Sequence, residues 1–280
     1  MSDEGTTIRQ PRLPLFLYGT AWKEERTEEL TQLALEAGFR GIDTANQRKH
    51  YVEEAVGAAI AKSGIPRGEL FLQTKFTFAR GQDQRLPYDP SAPIATQVRQ
   101  SFDKSLEHLG VDNIDSLLLH GPWSGDGWSD QDREAWRAME EIHLAGKVRL
   151  LGVSNVSHEQ VAALSKEAAV PPAFVQNACY ARAGWDQQVR DLCRQNSIVY
   201  QAFALLKANR RELARAAMTE MAARTGATVN QLVFRFAIEA GMLPLTGTSS
   251  RAHMDEDLAS TGISLSADDL AVIARIGQAR

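Results

Sequence analysis

The chain has 280 residues, 44% apolar and 24% charged, with a formal charge of -4 and two cysteines. That length accommodates two average domains or one barrel of alternating strands and helices, and we read it as one domain, residues 1–280, with apolar material enough to exclude a disordered chain. The acidic balance excludes the basic stripe of a nucleic-acid binder, and Cys179 and Cys193 form neither a CxxC nor a Cys/His pattern, so we expect reduced thiols and no metal.

No run of about 18 apolar residues offers a membrane span, and MSDEGTTIRQPRLP lacks the apolar stretch of a secretory signal. A cytoplasmic location is the resulting expectation.

Short β-rich runs alternate with amphipathic stretches throughout, the pattern of parallel strands joined by crossover helices. LPLFLYGT (13–20) reads as the first strand, and its helix begins near Thr27, a candidate N-cap, and stops at Gly38, which tolerates a left-handed C-cap. FRGID follows, then a helix over 52–62, LFLQTKF, a helix over 93–109, IDSLLLH, a helix over 130–145, VRLLGVSN and a helix over 157–168. FVQNACY, a helix over 185–195, IVYQAFALL, two helical stretches over 210–240, MLPLTGT, a short helix after Ser250 and a final helix over 266–277 complete the chain. Eight strands each followed by helix predict an α/β fold, a single (β/α)8 TIM barrel with an extra C-terminal helix. The segment ARGQDQRLPYDPSAP, after the third strand, is too irregular for a helix and sits where such a barrel keeps its chemistry.

Four side chains close apolar runs or follow them directly: Asp43, Tyr51, Lys75 and His120. An unpaired buried ammonium is costly, so Lys75 is expected to pair with Asp43. A retained charge on Lys75 would lower the pKa of a neighbouring phenol and make Tyr51 a general acid.

GFRGIDTA, FLQTKF, LLLHGP, GVSN, VQN and LTGTSS, in this order, resemble the aldo-keto reductase family. The resemblance implies a nicotinamide-dependent oxidoreductase that reduces an aldehyde or ketone to an alcohol, with Asp43, Tyr51, Lys75 and His120 catalytic and His120 orienting the substrate carbonyl. The family spaces its tyrosine two residues after DTA, a register that puts Arg48 there; Arg cannot exchange a proton at neutral pH. YVEEAVG resembles the family's tyrosine-led helix start with three residues added before the tyrosine and one removed after it, which points to Tyr51 through a longer loop. The alternatives are a Tyr51 that only packs, with another acid such as His50, and a catalytically impaired cofactor-binding regulatory subunit on the same barrel.

The same resemblance implies that Ser154, Asn155 and Gln176 bind the nicotinamide carboxamide and that Phe203 stacks on its ring. Gly19, Thr20, Asp43, Leu205, Gly247, Thr248, Ser249, His253 and Asp257 complete the implied cofactor wall. Gly247 and His253 stand where the family has Lys and Arg, and Asp257 where it has Asn, so NADPH is the implied cofactor with NADH as an alternative. Trp22, Tyr88, Trp123 and Trp128 are expected to wall a pocket for a small-molecule carbonyl compound, more open because the chain ends at Arg280. The pattern assigns no nucleic-acid or membrane partner and no oligomeric state.

Overall fold

Side-chain caps start several of the helices and glycine ends several others. The structure, a computed structural model, describes residues 13–278; most of the stretch expected to lack a secretory signal, and the chain end at Arg280, lie outside the described residues. In chain order the elements are β1 (Leu17–Gly19), α1 (Thr27–Ala37), β2 (Gly41–Asp43), α2 (Glu53–Ser63), β3 (Phe71–Phe76), α3 (Ile94–Leu109), β4 (Ile114–Leu119), α4 (Asp130–Leu144), β5 (Val148–Ser154) and α5 (His158–Glu167). They continue with β6 (Phe174–Ala178), α6 (Gln187–Gln195), β7 (Val199–Phe203), α7 (Arg210–Leu213), α8 (Ala216–Thr225), α9 (Val229–Glu239), β8 (Met242–Thr246), α10 (Arg251–Ala259) and α11 (Ala267–Arg275). Ser129, Ser157, Thr228 and Ser266 each form a capping box with the residue three positions on. Gly38, Gly64, Gly110 and Gly226 close α1, α2, α3 and α8 in the left-handed region.

All eight strands are parallel, pair in chain order and close β8 onto β1, so the chain folds as a (β/α)8 barrel. The last helix, α11, packs outside it against α8, α9 and the segment Ala181–Asp186. Several boundaries differ from the sequence reading. β1 pairs over three residues only, because Leu13 and Leu15 face solvent. Thr27 is not an N-cap: a 3-10 turn over Glu24–Arg26 runs into α1, and the Thr27 hydroxyl donates back to the Glu24 carbonyl at 2.7 Å. The helix expected over 185–195 begins at Gln187, since Trp185 and Asp186 are left-handed and Trp185 is drawn inward, its Nε1 donating to the Ile273 carbonyl at 2.9 Å. Three helices, not two, fill 210–239.

The barrel interior is layered. Leu17, Phe71, Leu118, Phe174 and Leu243 form an apolar plug, and Gly152 makes room for it: a Cβ there would lie 2.5 Å from Leu118 Cδ2 and 2.7 Å from the Phe174 carbonyl. Outside the barrel, Gly57 seats α2 on α3, where a Cβ would meet the His108 carbonyl at 2.2 Å. Above the plug lies a hydrogen-bonded polar layer. Gln73 Nε2 donates to Gln201 Oε1 at 2.8 Å and to Asp43 Oδ1 at 2.7 Å, Gln201 Nε2 returns a bond to Gln73 Oε1 at 2.9 Å, and Ser116 donates to Gln73 Oε1 at 2.8 Å. Gln176 Nε2 donates to both Asp43 Oδ1 (3.0 Å) and Gln201 Oε1 (2.9 Å).

Lys75 stands on this layer with its Nζ 2.7 Å from each Asp43 oxygen. Removing one partner of a buried pair strands the other, so Lys75→Met is expected to lower unfolding stability by about 3–5 kcal/mol. Asp43→Asn combined with Lys75→Met should recover part of the loss, as urea denaturation of the wild type and the two variants will show. A single variant as stable as wild type would mean that the carboxylate does not depend on Lys75.

Candidate active site

β2 and β3 run side by side, with Asp43 opposite Gln73 in register, so Lys75, two residues further along β3, projects beyond the layer on the same side. Lys75 is 1% exposed, and its three N–H groups are satisfied by the two Asp43 oxygens and by the Thr44 carbonyl at 2.9 Å. Burial lowers its pKa while the Asp43 carboxylate holds it up.

Tyr51 comes to the same place from the loop. Arg48, which the family's spacing puts in the tyrosine's position, is turned away into an ion pair with Glu54. His50 and Tyr51 both donate their N–H groups to the Gln47 carbonyl, a turn that absorbs the added residues. The Tyr51 ring centroid is then 5.3 Å from Lys75 Nζ and 5.9 Å from the His120 ring. Burial, and after it the Asp43 carboxylate, raise the Tyr51 phenol above its ordinary pKa. The lowering expected from Lys75 is therefore corrected: the ammonium faces a carboxylate that cancels its field.

His120 follows β4 directly and hydrogen-bonds Thr77 Oγ1 through Nδ1 at 2.7 Å. Burial, then the charge of Lys75, depress its pKa to about 3. The imidazole is neutral at physiological pH.

Asp43, Tyr51 and His120 line a cleft of about 980 Å³ at the C-terminal ends of the strands, with Lys75 buried beside them. Ser154, Asn155 and Gln176 form one wall. The Ser154 hydroxyl donates to the Gln176 carbonyl at 2.7 Å, and Asn155, left-handed at φ 57, donates Nδ2 to the His120 carbonyl at 2.8 Å. Gly19, Phe203, Leu205, Gly247, Thr248, His253 and Asp257 also line the cleft. Two implied cofactor residues do not. Thr20 is fully buried, its hydroxyl and N–H both directed to the Asp43 carbonyl, and Ser249 is exposed outside the lining.

Of the four expected substrate-wall aromatics, only Trp22 lines the cleft, 67% exposed and stacked on His50 with ring centroids 3.5 Å apart. Tyr88 is corrected to a core residue: the irregular segment folds back, its ring packing on Phe76 while its hydroxyl donates to the Thr77 carbonyl at 2.7 Å. Trp128 is buried in the core as well. Trp123 lies outside the cleft, edge-on to Phe78 at 5.1 Å.

The sequence reading missed other cleft residues. Lys207 and Arg210, just beyond β7, line it and have no acidic partner among the described residues. Lys23 reaches over from the β1–α1 loop to donate to the Gly247 carbonyl. Arg251, by contrast, is engaged by Asp255 at 2.9 Å. Thr246 donates to Asp257 Oδ2 at 2.7 Å, and burial raises the Asp257 carboxyl to about 6. A second, smaller cavity adjoins the cleft across Gln47, His120 and Asn155.

Among the described residues no three His, Cys, Asp or Glu side chains converge as metal ligands, and no helix is long and apolar enough to cross a membrane. Cys179 and Cys193 are free and buried, and burial raises both thiols to about 12.

The family model described as "Aldo/keto reductase family" matches residues 16–278. A glyoxal reductase of Bacillus subtilis (strain 168) is 30% identical over 261 residues, covering 92% of this chain and 87% of the relative. Among solved structures, an aldo-keto reductase from a Medee basin deep-sea metagenome library superimposes with a TM-score of 0.82 at 26% identity, covering 95% of this chain and 92% of the other. An aldo/keto reductase from Brucella melitensis gives 0.80 at 28% identity, with 94% and 95% covered. A silkworm (Bombyx mori) aldo-keto reductase complexed with NADPH shares the fold, with a TM-score of 0.78, 24% identity and coverage of 94% and 84%. A parallel barrel with a buried Lys-Asp pair at its mouth, matched along nearly its whole length, belongs to the aldo/keto reductase family of NAD(P)H-dependent oxidoreductases.

Proposed function

We propose that the chain reduces a small aldehyde or ketone to an alcohol with NADPH, Tyr51 donating the proton. The observation that carries this reading is the convergence of Tyr51 and His120 in the cleft lining, with Lys75 buried 5.3 Å from the Tyr51 ring. The donor set fits the cofactor: an amide-and-hydroxyl wall for a carboxamide, an aromatic ring in Phe203, and unpaired cations towards the far end. When bound, a reduced nicotinamide supplies the hydride.

The remaining chemistry is the protein's. Gln176 commits its Nε2 to Asp43 and Gln201, leaving Oε1 to accept from a carboxamide, while Asn155 offers Oδ1. In the tautomer whose Nδ1 accepts from the Thr77 hydroxyl, neutral His120 carries its hydrogen on Nε2 and donates it to the substrate carbonyl. That bond orients the carbonyl and stabilises the negative charge that grows on its oxygen. The raised phenol of Tyr51 stays protonated at rest and yields its proton only as an alkoxide forms. Lys75 and Asp43 hold a fixed dipole beneath it. The alternative, an impaired regulatory subunit, draws on the altered loop and the changed phosphate site; the phenol ring, centred 5.3 Å from Lys75 Nζ, favours the reductase.

For the cofactor's phosphates the cations expected after β8 are absent, and Arg251 is engaged. Lys207 and Arg210 take that work from beyond β7, with Lys23 nearby. NADH remains the weaker alternative because it lacks the third phosphate group.

Three outcomes test these assignments. Tyr51→Phe is expected to lose about 10²–10⁴-fold in turnover with NADPH binding kept, whereas Arg48→Ala stays within tenfold. Wild-type turnover should stay level from about pH 6 to 9, since the phenol is not lowered into that range; an inflection there assigned to Tyr51 would restore the lowered-pKa account. The combined Lys207→Ala and Arg210→Ala variant should weaken NADPH binding, read by tryptophan quenching, by about tenfold or more, a charge-assisted contact being worth about 1.5–3 kcal/mol.

The last outcome concerns stability. Asp257 ionises near 3.8 when unfolded and at about 6 when folded, so its contribution is fully present below the unfolded value and is lost as pH rises through 6. Asp257→Asn cannot ionise and can still accept from Thr246. Its melting temperature should exceed the wild type's at pH 8, reflecting on the order of 1–3 kcal/mol, and the gain should shrink at pH 5. An equal gain at both pH values would show that ionisation is not the cause.

A further inference from the structure

The smaller cavity, of about 190 Å³, lies behind His120 and holds a cation that the proposed chemistry does not use. Thr77, Phe78, Gly121 and Pro122 contribute to its walls, together with Arg80. It shares Gln47, His120 and Asn155 with the cleft, so a carbonyl held by His120 has its remaining atoms at the entrance. Arg80 is held in place from two sides: its guanidinium lies 5.9 Å from the Trp123 ring centroid and Nη2 donates to the Pro122 carbonyl. Among the described residues it has no carboxylate partner, and no acidic side chain lines the cavity. A guanidinium has five N–H groups, and one is in use.

We propose that this cavity selects the substrate, and that the preferred substrate is a short carbonyl compound bearing a carboxylate, which Arg80 receives. The inference rests on the carbonyl-reductase reading above and deepens it. Size limits the chain: at about 30 Å³ per water, the space takes about six water-sized groups. Charge sets the class. An apolar tail would strip water from Arg80 and return no hydrogen bond to its guanidinium. A carboxylate meets the planar fork of Arg with two parallel bonds, and Trp123 keeps the guanidinium from having to be ordered on binding.

The test compares oxo acids with neutral carbonyl compounds of equal heavy-atom count, pyruvate against butane-2,3-dione and 4-oxobutanoate against hexanal, with NADPH at saturation. At least one oxo acid should exceed its neutral partner tenfold or more in kcat/KM. Arg80→Gln should reduce kcat/KM for that acid at least tenfold more than for the neutral compound, chiefly through KM, and Arg80→Lys should restore part of the difference. Succinate, which cannot be reduced, gives a second readout in the protein–NADPH complex: its quenching of tryptophan fluorescence should saturate in wild type and require at least tenfold more ligand in Arg80→Gln. If succinate binds in this way but none of the four carbonyl compounds is reduced, the anion site stands and the reductase reading falls. If the neutral compounds are reduced as well as the acids, or Arg80→Gln affects both alike and leaves succinate binding unchanged, the proposal is overturned.

Discussion

A carboxylate at the bottom of a water-poor barrel is tolerable only when both of its oxygens find donors. Asp43 Oδ1 accepts from Gln73, Gln176 and Lys75, and Oδ2 accepts from Lys75, so each oxygen is hydrogen-bonded. Satisfying the amides in turn recruits Gln201 and Ser116. One buried charge thus sets inward-facing residues on β2, β3, β4, β6 and β7, and the floor of the cleft is the upper surface of that network. A buried ion pair is weak evidence for stability as such. What it supplies here is position, because a donor that moved would leave an acceptor unpaired.

The same network explains the electrostatics above it. Lys75 and Asp43 are nearly neutral as a unit, so the phenol nearby responds to burial more than to the ammonium, and His120, facing the positive end, is kept unprotonated. Among the described residues that line the cleft and the smaller cavity, Lys and Arg side chains with no carboxylate partner lie further out, at Lys207 and Arg210 in the cleft and at Arg80 beyond His120. An anionic cofactor and an anionic substrate would meet the two ends of the site without competing for one cation.

Much of this was legible in the chain. Short β-rich runs alternating with amphipathic helical stretches specify the barrel, and a polar residue closing such a run or following it, as at Asp43, Lys75 and His120, marks the face where strands end. Other features depend on where the chain goes after it leaves a strand. Tyr88 and Trp128 sit in loops that fold back onto the core, and nothing local distinguishes them from Trp22, which stays at the cleft. Gln73 and Gln201 interrupt apolar strands at inward positions, a signal that was present in the alternation two residues before Lys75 and at the middle of β7. The direction of the Tyr51 shift needed the distance to Asp43 as well as to Lys75, and spacing along the chain carries neither.

The turn at Gln47 to Tyr51 and the seat of α2 at Gly57 have a consequence for loop length. Because Gly57 fixes the helix against α3, residues gained before the tyrosine and lost after it are absorbed in the turn and the first helical residue, and the ring still arrives beside Lys75. The path between Asp43 and the phenol can therefore lengthen or shorten in this turn while β2 and α2, held by the barrel and by Gly57, stay where they are.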